Sequence, residues 1–431
     1  MLDWSPEQVA AAAGARLEAA AVVDAPAGPS RVTIDSRDVR PGDLFVGLPG
    51  TRDDGGRFAG AALDAGAWGV LVAPEYVIHA APGAVIAAED PLAALQALAR
   101  SWRRALGAAV VGITGSTGKT STKDLLRAML AQDRRVVATE QNLNTEIGLP
   151  LTILAAPAGT EALVLEMAMR GPGQIAELAA IAEPDVGVIV NIGPVHLELL
   201  GTLDAIAAAK AELLADLRPG ATAVIPAGES LLEAFLRDDL RVVTFGEGGD
   251  VAELDGVELP FSSAHMRSNA LAALAAARAL GAAPRGLLEV ELSAMRGQRI
   301  ELPGPVLVID DCYNANPMSM RAALDDLAAS ASGRRVAVLG DMLELGPEEE
   351  RFHAEIGAHA ALRGIAVLVA VGPLAARMAE TFSGELHAVP DAAAATALAR
   401  ELVRPGDTVL VKGSRGVGLE VVARGLQAPA V

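Results

Sequence analysis

Sulfur chemistry, aromatic residues and positive charge are all scarce in this chain. One cysteine, Cys312, stands in 431 residues, so no internal disulfide can form and a cysteine-built metal site lacks its thiolates. Aromatic residues make up 3%, so the cores must be built from Ala, Val, Leu and Ile. The formal charge of −19 argues against nucleic acid or an anionic membrane as the main partner. Local clusters such as Arg103-Arg104 and Arg334-Arg335 could still hold an anionic substrate. No apolar run is long and clean enough to span a bilayer, so membrane insertion is not expected. The acidic start Met1-Leu2-Asp3-Trp4-Ser5-Pro6-Glu7 lacks the basic region and apolar run of a secretory signal. A cytoplasmic location and a monomer are the expectations. No fixed-period repeat or low-complexity linker is present.

What is present is a chain that can bury several cores. Hydrophobic residues make up 52%, and the length predicts two or three domains. The rest is organised around Val110-Val111-Gly112-Ile113-Thr114-Gly115-Ser116-Thr117-Gly118-Lys119-Thr120. An apolar strand runs into a Gly-rich turn, and Lys-Thr opens a helix, which is the arrangement that cradles phosphates. The amides of Gly115, Ser116, Thr117 and Gly118 would converge on anionic oxygens, Lys119 would reach terminal phosphates, and the Thr120 hydroxyl would bind Mg2+. The standard spacing wants glycine where Ile113 stands. A glycine-rich surface turn is the plain alternative.

Ahead of this loop, residues 5–20 suggest a short helix, followed by strand and turn signals over residues 31–48. A helix over 57–65, strands near 69–73 and 84–87 and a long helix over 91–106 complete a small α/β unit. Within it, Asp35-Ser36-Arg37 reads first as an Asx-type turn with a solvated arginine. A hydroxyl and a guanidinium at a strand end could also hold a phosphate.

Beyond the loop, polar residues 139–152 read as a loop closed by Gly148 and Pro150, in which Asn142 and Asn144 either serve the turn or orient a substrate. The run Leu163-Val164-Leu165-Glu166 ends in a carboxylate suited to Mg2+. His196 follows the strand 186–190 and is either structural or part of the same edge. Lys210, on the helix 204–217, reads from sequence as a surface lysine. A strand near 222–225, a helix over 229–237, a strand over 241–245 and a helix over 266–280 follow. Asn269 could cap that last helix or read an adenine edge.

From residue 301 strands and helices alternate regularly, which implies a parallel, doubly wound sheet. Strands are expected at 306–310, 335–339, 366–371, 386–389 and 408–411. Helices are expected near 317–330, 348–362, 374–381, 391–403 and 418–426. Three polar clusters sit at carboxyl ends of strands: Asp310-Asp311-Cys312-Tyr313-Asn314-Ala315-Asn316-Pro317, Gly340-Asp341-Met342-Leu343-Glu344-Leu345-Gly346, and Lys412-Gly413-Ser414-Arg415-Gly416. Three clusters on one edge predict a ligand site there.

With these residues in view, the sequence resembles the Mur ligases, ATP-dependent amide-forming enzymes of peptidoglycan precursor synthesis. The shifted Thr114-Gly115-Ser116-Thr117-Gly118-Lys119-Thr120 is the form that family uses. Asp35-Ser36-Arg37 with Pro41-Gly42-Asp43-Leu44-Phe45, Glu166, Asn191-Ile192-Gly193 with His196, and the three clusters of the last block carry the rest of the likeness. The resemblance implies an α/β protein of three domains: a UDP-substrate domain at 1–106, a central P-loop ATPase-like domain at 107–300 with a parallel or mixed sheet, and a Rossmann-like domain at 301–431. It implies the member that joins D-alanyl-D-alanine to UDP-MurNAc-tripeptide through an acyl phosphate.

The same resemblance implies residue roles that spacing does not give. Lys119, Lys210, His196 and Glu166 would be catalytic, with Thr120, Glu166, His196 and Lys210 at the Mg2+ sites. Lys210 would be carbamylated by CO2, against its plain reading. Asn269, Arg299 and Asp311 would contact ATP, as would the loop residues Gly115 to Thr120. Ser36, Arg37, Asn142, Asn144, Tyr313, Asn314, Asn316, Lys412 and Arg415 would bind substrate. The chain departs from the family pattern at Ser263-Ala264-His265-Met266 and at Gly416-Val417-Gly418. Folylpolyglutamate synthase shares the P-loop chemistry, but Asp35-Ser36-Arg37 and Tyr313-Asn314-Ala315-Asn316-Pro317 argue against it. A nucleotide-driven switch would hydrolyse ATP without an amine acceptor, and a binding module would lack turnover.

Overall fold

The computed structural model describes residues 4–19, 28–79, 81–261 and 263–427. The chain forms three α/β units. In the first, helix α1 (Pro6–Ala12) starts at a capping box made by Ser5 and Gln8. The expected helix over 5–20 ends early, because the chain turns at Ala13 and Gly14 into strand β1 (Arg16–Ala19); residue 20 lies outside the described residues. Strands β2 (Arg31–Thr33), β3 (Asp43–Val46), β4 (Gly69–Val72) and β5 (Ala84–Ala87) are parallel, and β1 adds antiparallel to β5. Helix α2 (Ala59–Asp64) covers this sheet.

Helix α3 (Pro91–Leu106) is capped by Asp90, whose side chain accepts from the amides of Leu92 and Ala93. Its apolar stripe of Leu95, Leu98, Ala99 and Trp102 repeats at helical spacing and is fully buried. That stripe enters the core of the next unit, and the Trp102 indole donates to the Ala156 carbonyl (3.1 Å). The first two units are therefore joined through a shared apolar core.

The central sheet has the order β11-β10-β9-β6-β8-β7, all parallel. Its strands are β6 (Ala109–Thr114), β7 (Val136–Ala138), β8 (Ala162–Glu166), β9 (Val186–Ile189), β10 (Thr222–Pro226) and β11 (Arg241–Phe245). Its helices are α4 (Lys119–Leu130), α5 (Gly148–Ala155), α6 (Gln174–Ala182), the short α7 (Leu197–Leu200), α8 (Leu203–Ala215) and α9 (Ala264–Ala279). Helices α4 and α9 pack on one face of the sheet; α5, α6 and α8, with α3, cover the other. Two expectations change here. The segment read as a loop to residue 152 contains α5, because Pro150 lies in the first turn, where its missing N–H costs nothing. The expected helix over 229–237 is a 3-10 turn at Ser230–Phe235.

A small parallel pair, β12 (Val257–Glu258) with β13 (Gly286–Leu287), precedes the third unit. There the order is β14-β15-β19-β16-β17-β18, with β14 alone antiparallel. The strands are β14 (Gln298–Leu302), β15 (Val306–Asp310), β16 (Arg335–Gly340), β17 (Val367–Val371), β18 (Glu385–Val389) and β19 (Thr408–Lys412). Helices α10 (Pro317–Ser330), α11 (Glu349–Leu362), α12 (Ala392–Leu402) and α13 (Glu420–Gln427) flank them. Strand β14 crosses the expected boundary at 300/301, so the third sheet begins at Gln298. The helix expected over 374–381 is a 3-10 turn at Ala375–Glu380.

Strand order places the chemistry. In the central sheet β6 lies between β8 and β9, so the loop after Thr114, the Glu166 carboxylate and Asn191 share one edge. In the third sheet β19 lies between β15 and β16, which joins all three polar clusters. The carboxyl ends of parallel strands at such reversals form crevices.

Candidate active site

A cleft of about 910 Å³ lies between the second and third units, floored by Ser116–Ser121 and roofed by residues of β14, β15 and α10. The loop that floors it is held from two sides. Asn191 accepts from the Thr117 amide (2.9 Å) and donates to the Thr117 hydroxyl (3.0 Å). The Ser116 hydroxyl donates to the Gly193 carbonyl (3.0 Å) and accepts from the Gly193 amide (2.9 Å). Ile113 is fully buried in β6, paired opposite Glu166, so the loop begins after it and needs no glycine there. Gly118 has φ +76°, and a Cβ on it would lie 2.4 Å from the Asn269 Oδ1. Asn269 is therefore seated on the loop, more than a turn inside α9, and does not cap that helix.

The Thr120 hydroxyl donates to Glu166 (2.9 Å), and the Asn144 amide donates to the other oxygen of that carboxylate (2.9 Å). Glu166 is 2% exposed. His196 sits at φ +54° and pairs with Glu344 of the third unit. Burial lowers the His196 pKa, Glu344 opposes this, and the charges of Lys119 and Lys210 reinforce it. Lys119 Nζ donates to the Gly115 carbonyl (2.9 Å). Burial lowers its pKa as well, against the pull of Glu166 and with a push from Arg296.

Of the 35 basic residues only four are lysines: Lys119, Lys123, Lys210 and Lys412. None is exposed. The open surface carries arginine instead, so lysine is kept where a compact charge or a titratable amine is needed. Lys412 is buried and pairs with Asp311 (2.6 Å), also donating to the Asn314 carbonyl (3.0 Å). Lys123 is buried against Asp124 (2.7 Å) and the Thr139 carbonyl (2.8 Å). Lys210 is 2% exposed and, among the described residues, makes no hydrogen bond or ion pair. Burial, with the Lys119 charge, holds its pKa well below the usual 10.5, which favours the neutral amine.

The donor set answers whether Mg2+ fits. A hydroxyl and a buried carboxylate beside a phosphate-type loop suit an ion that takes one or two carboxylates plus phosphate and water. An unmodified Lys210 does not suit it, since it offers an amine nitrogen to a hard cation, and the His196 nitrogen is a poorer donor than the oxygens of Thr120 and Glu166. A carbamate on Lys210 would replace that amine by two oxygens.

The remaining sequence candidates divide. Arg299 donates to Asp326 on α10 (3.0 Å) and faces the cleft with Asp311, Asn314 and Asn316. Asn316 also caps α10. Tyr313 lies under the Arg296 guanidinium (3.9 Å to the ring centre), with Arg415 at 5.9 Å. The Arg37 amide donates to the Asp35 carboxylate (3.0 Å), the Asx-turn form, its guanidinium folds back on the same carboxylate (2.8 and 2.7 Å), and Ser36 lies beside it in the first unit, outside the cleft. Asn142 is exposed. Burial and the adjacent Asp310 carboxylate push the Cys312 thiol up, so it is no nucleophile. The sequence reading assigned no role to Arg296, Glu344 or Asp326; His265, noted there as a departure, lines the same cleft. Glu344 lay inside a motif already singled out. Asp326 sits mid-helix, where no local pattern marks it.

Comparison with known proteins covers nearly the whole chain. Residues 30–103 match the Mur ligase family catalytic domain, 113–277 the Mur ligase middle domain, and 295–415 the Mur ligase glutamate ligase domain. The UDP-N-acetylmuramoyl-tripeptide–D-alanyl-D-alanine ligase of Synechocystis sp. is 39% identical over 93% of this chain and 92% of its own length. A crystal structure of MurF from Acinetobacter baumannii superposes with a TM-score of 0.88 at 30% identity, covering 98% of both chains. MurF from Thermotoga maritima in complex with ADP gives 0.82 at 32% identity, over 92% of this chain and 97% of that one.

Proposed function

The chain belongs to the Mur ligase family, and on that premise we propose that it joins D-alanyl-D-alanine to UDP-MurNAc-tripeptide at the expense of ATP. The observation that carries this reading is the cleft itself, a phosphate-type loop facing the Asp311–Lys412 edge of a second nucleotide-type sheet. The terminal carboxylate of the tripeptide attacks the γ-phosphorus of ATP, and ADP leaves. The dipeptide amine then attacks the acyl carbon, the C–O bond to phosphate breaks, and the amine gives up a proton as the amide forms. A carboxylate is a poor electrophile, and phosphorylation gives it a leaving group.

The residues divide the work. The loop amides from Gly115 to Gly118 and the Lys119 ammonium offset charge on the transferred phosphoryl group. Asn269 orients the adenine, and Arg299 and Asp311 hold the nucleotide from the third unit. Asn142, Asn144, Tyr313, Asn314, Asn316, Lys412 and Arg415 line the approach of the acceptor and peptide, while Ser36 and Arg37 serve the UDP end. Thr120, Glu166, His196 and a carbamylated Lys210 would hold Mg2+, which supplies further charge neutralisation when bound. The neutral amine of a buried, unpartnered lysine is the form that attacks CO2, releasing one proton. Residues 1–106, 107–300 and 301–431 take the parts of UDP-substrate, ATP and ligase domains, with β14 passing to the third. Exclusion of water protects the acyl phosphate, so closure of the third unit on the second accompanies turnover. No described helix is long and apolar enough to cross a membrane. The cytoplasm, where ATP is supplied, is the compartment we propose.

The test is phosphate release with ATP, Mg2+ and UDP-MurNAc-tripeptide, with and without D-alanyl-D-alanine. Release that depends on the dipeptide, together with a pentapeptide product by mass, supports the assignment. Release independent of the dipeptide, or no such product, overturns it.

A further inference from the structure

Lys123 and Asp124 form a buried ion pair that none of the roles above uses, and neither residue lines the cleft. Replacing such a pair by apolar groups is often neutral or favourable for folding, so stability alone does not account for it. Its hydrogen bonds lead in two directions. The first runs to the carboxylate at the end of β8. The Lys123 Nζ donates to the Thr139 carbonyl (2.8 Å), just past the end of β7. The Thr139 hydroxyl in turn accepts from the Glu166 amide (2.9 Å). The Glu166 carboxylate accepts from the Thr120 hydroxyl (2.9 Å). Thr120 lies three residues before Lys123 on α4, on the same face of that helix. These bonds close a ring from Thr120 through Glu166, Thr139 and Lys123 back along α4, and all four residues are buried.

The second direction runs to the third unit. Asp124 accepts from the Ser293 amide (2.9 Å) and from the Ser293 hydroxyl (3.2 Å), and that hydroxyl accepts from Lys123 (3.4 Å). Lys123 thus uses all three of its N–H donors. Ser293 is fixed to α4, while the Met295 carbonyl, accepting from the Tyr313 amide (3.3 Å), is fixed to the third unit. Only Ala294 separates the two anchors. Met295 at φ +59° and Gly297 at φ +73° follow, and β14 begins at Gln298. The connection to the third unit therefore pivots beside a residue that Asp124 holds.

We propose that Lys123 and Asp124 are positioning residues for the ligation. The pair holds Glu166, through Thr139, and the pivot of the third unit, through Ser293, in one fixed relation. This rests on the reading of the chain as an ATP-dependent ligase. The helix behind the phosphate loop, the carboxylate beside it and the root of the closing unit then move as one body. Closure brings the third unit down in a set register with Glu166. Misplacing a reacting group by about 1 Å can cost on the order of 100-fold in rate, so loosening this frame shows in turnover before it shows in nucleotide binding.

The paired substitution Lys123→Met with Asp124→Asn tests this, since it removes both charges and leaves no buried ion alone. The kcat of dipeptide-dependent phosphate release should fall about 10- to 100-fold, the usual cost of losing a group that orients a reactive one. ATP affinity by calorimetry should stay within about twofold, an allowance well below that loss. In the protein without nucleotide or metal, the Glu166 amide should exchange with solvent about 10-fold faster, as the loosening of one hydrogen bond implies. Thr139→Val should slow turnover likewise, and Thr139→Ser, which keeps the acceptor, should recover most of the rate. The paired substitution should cost less in the Thr139→Val background than in the wild type. Unchanged kcat, or an unchanged Glu166 amide, overturns the proposal. So does an equal loss of ATP affinity, which would mark a merely structural pair, and so do additive effects with Thr139→Val. Should the paired variant not fold, Ser293→Ala and Thr139→Val against Thr139→Ser, read by the same measurements, decide in the same way. Wild-type protein assayed beside them keeps the two readings apart. Ligation at an undiminished rate in the variants sinks only the positioning role. Absence of ligation in the wild type, with the Glu166 amide still loosened by the paired substitution, sinks only the proposed reaction.

Discussion

Lys210→Met sets stability against activity at one buried position. The substitution keeps the length and apolar stem of the side chain and removes the amine. Lys210 lies on α8, is 2% exposed and has no partner among the described residues. The Nζ is not wholly sealed from solvent, so the cost of about 1–3 kcal/mol for an unsatisfied buried group is an upper bound, and the methionine variant should at least equal the parent in stability. An ordinary lysine is only about 0.1% neutral at pH near 7.5, and each unit by which burial lowers its pKa raises that fraction tenfold. The depressed pKa therefore favours the neutral amine that the proposed carbamylation requires. Removing it should reduce dipeptide-dependent phosphate release at least ~100-fold, more than loss of a supporting residue around a metal typically costs. Stability is best followed by native-state hydrogen exchange in α8, since three units need not unfold together. Activity should fall in CO2-depleted buffer and return with bicarbonate, and 13C-bicarbonate should give a carbamate signal in the parent alone. Lys210→Ala should regain part of its activity with added short carboxylates. Full activity in Lys210→Met would refute the assigned role. A loss of stability beyond about 2 kcal/mol would refute the unpartnered amine, because a loss of that size follows the breaking of a buried interaction.

Three further outcomes are expected. Gly118→Ala adds a Cβ 2.4 Å from the Asn269 Oδ1 at φ +76°; a double-mutant cycle with Asn269→Ala, read by hydrogen exchange in α4, should show about 1–3 kcal/mol of coupling, and an additive cycle would remove that contact. A Cβ on Gly193 would lie 1.8 Å from the Met318 sulfur, so Gly193→Ala should part the second and third units and weaken ATP binding by about 5- to 150-fold, with Met318→Ala restoring it; failure to restore would show the loss arises elsewhere. His353 is fully buried, accepting from the Met342 amide (2.8 Å), and burial lowers its pKa below 6.5. The unfolded chain binds that proton first, so the stability present above pH 6.5 declines as pH falls from there through the lower folded pKa, by about 1.4 kcal/mol per unit. Hydrogen exchange in the third unit of His353→Gln should lose that slope, and an unchanged slope would exclude His353 as its source.

Local pattern was enough to read the three α/β blocks, the loop at Gly115–Thr120 and the polar strand ends. A buried parallel strand is a continuous apolar run, and the residue after it falls at the ligand edge whatever the rest of the chain does. Pattern failed where a residue's part depends on a neighbour distant in sequence. The alternation in Gln298–Leu302 is a strand only because β15 is there to pair with it. Lys210 reads as a surface lysine because α8 is predominantly apolar and alanine-rich and marks no face as buried; the packing of α6 and the sheet against it does that. Glu344 meets His196 across 148 residues, and Arg296 meets Tyr313 only once β14 has turned the chain back. The sequence by itself determined which groups could bind a phosphate, since that needs only a strand, glycines and a helix start. Which cations are buried and which are paired among the described residues was decided by the tertiary structure alone, because burial and pairing are properties of the packed chain.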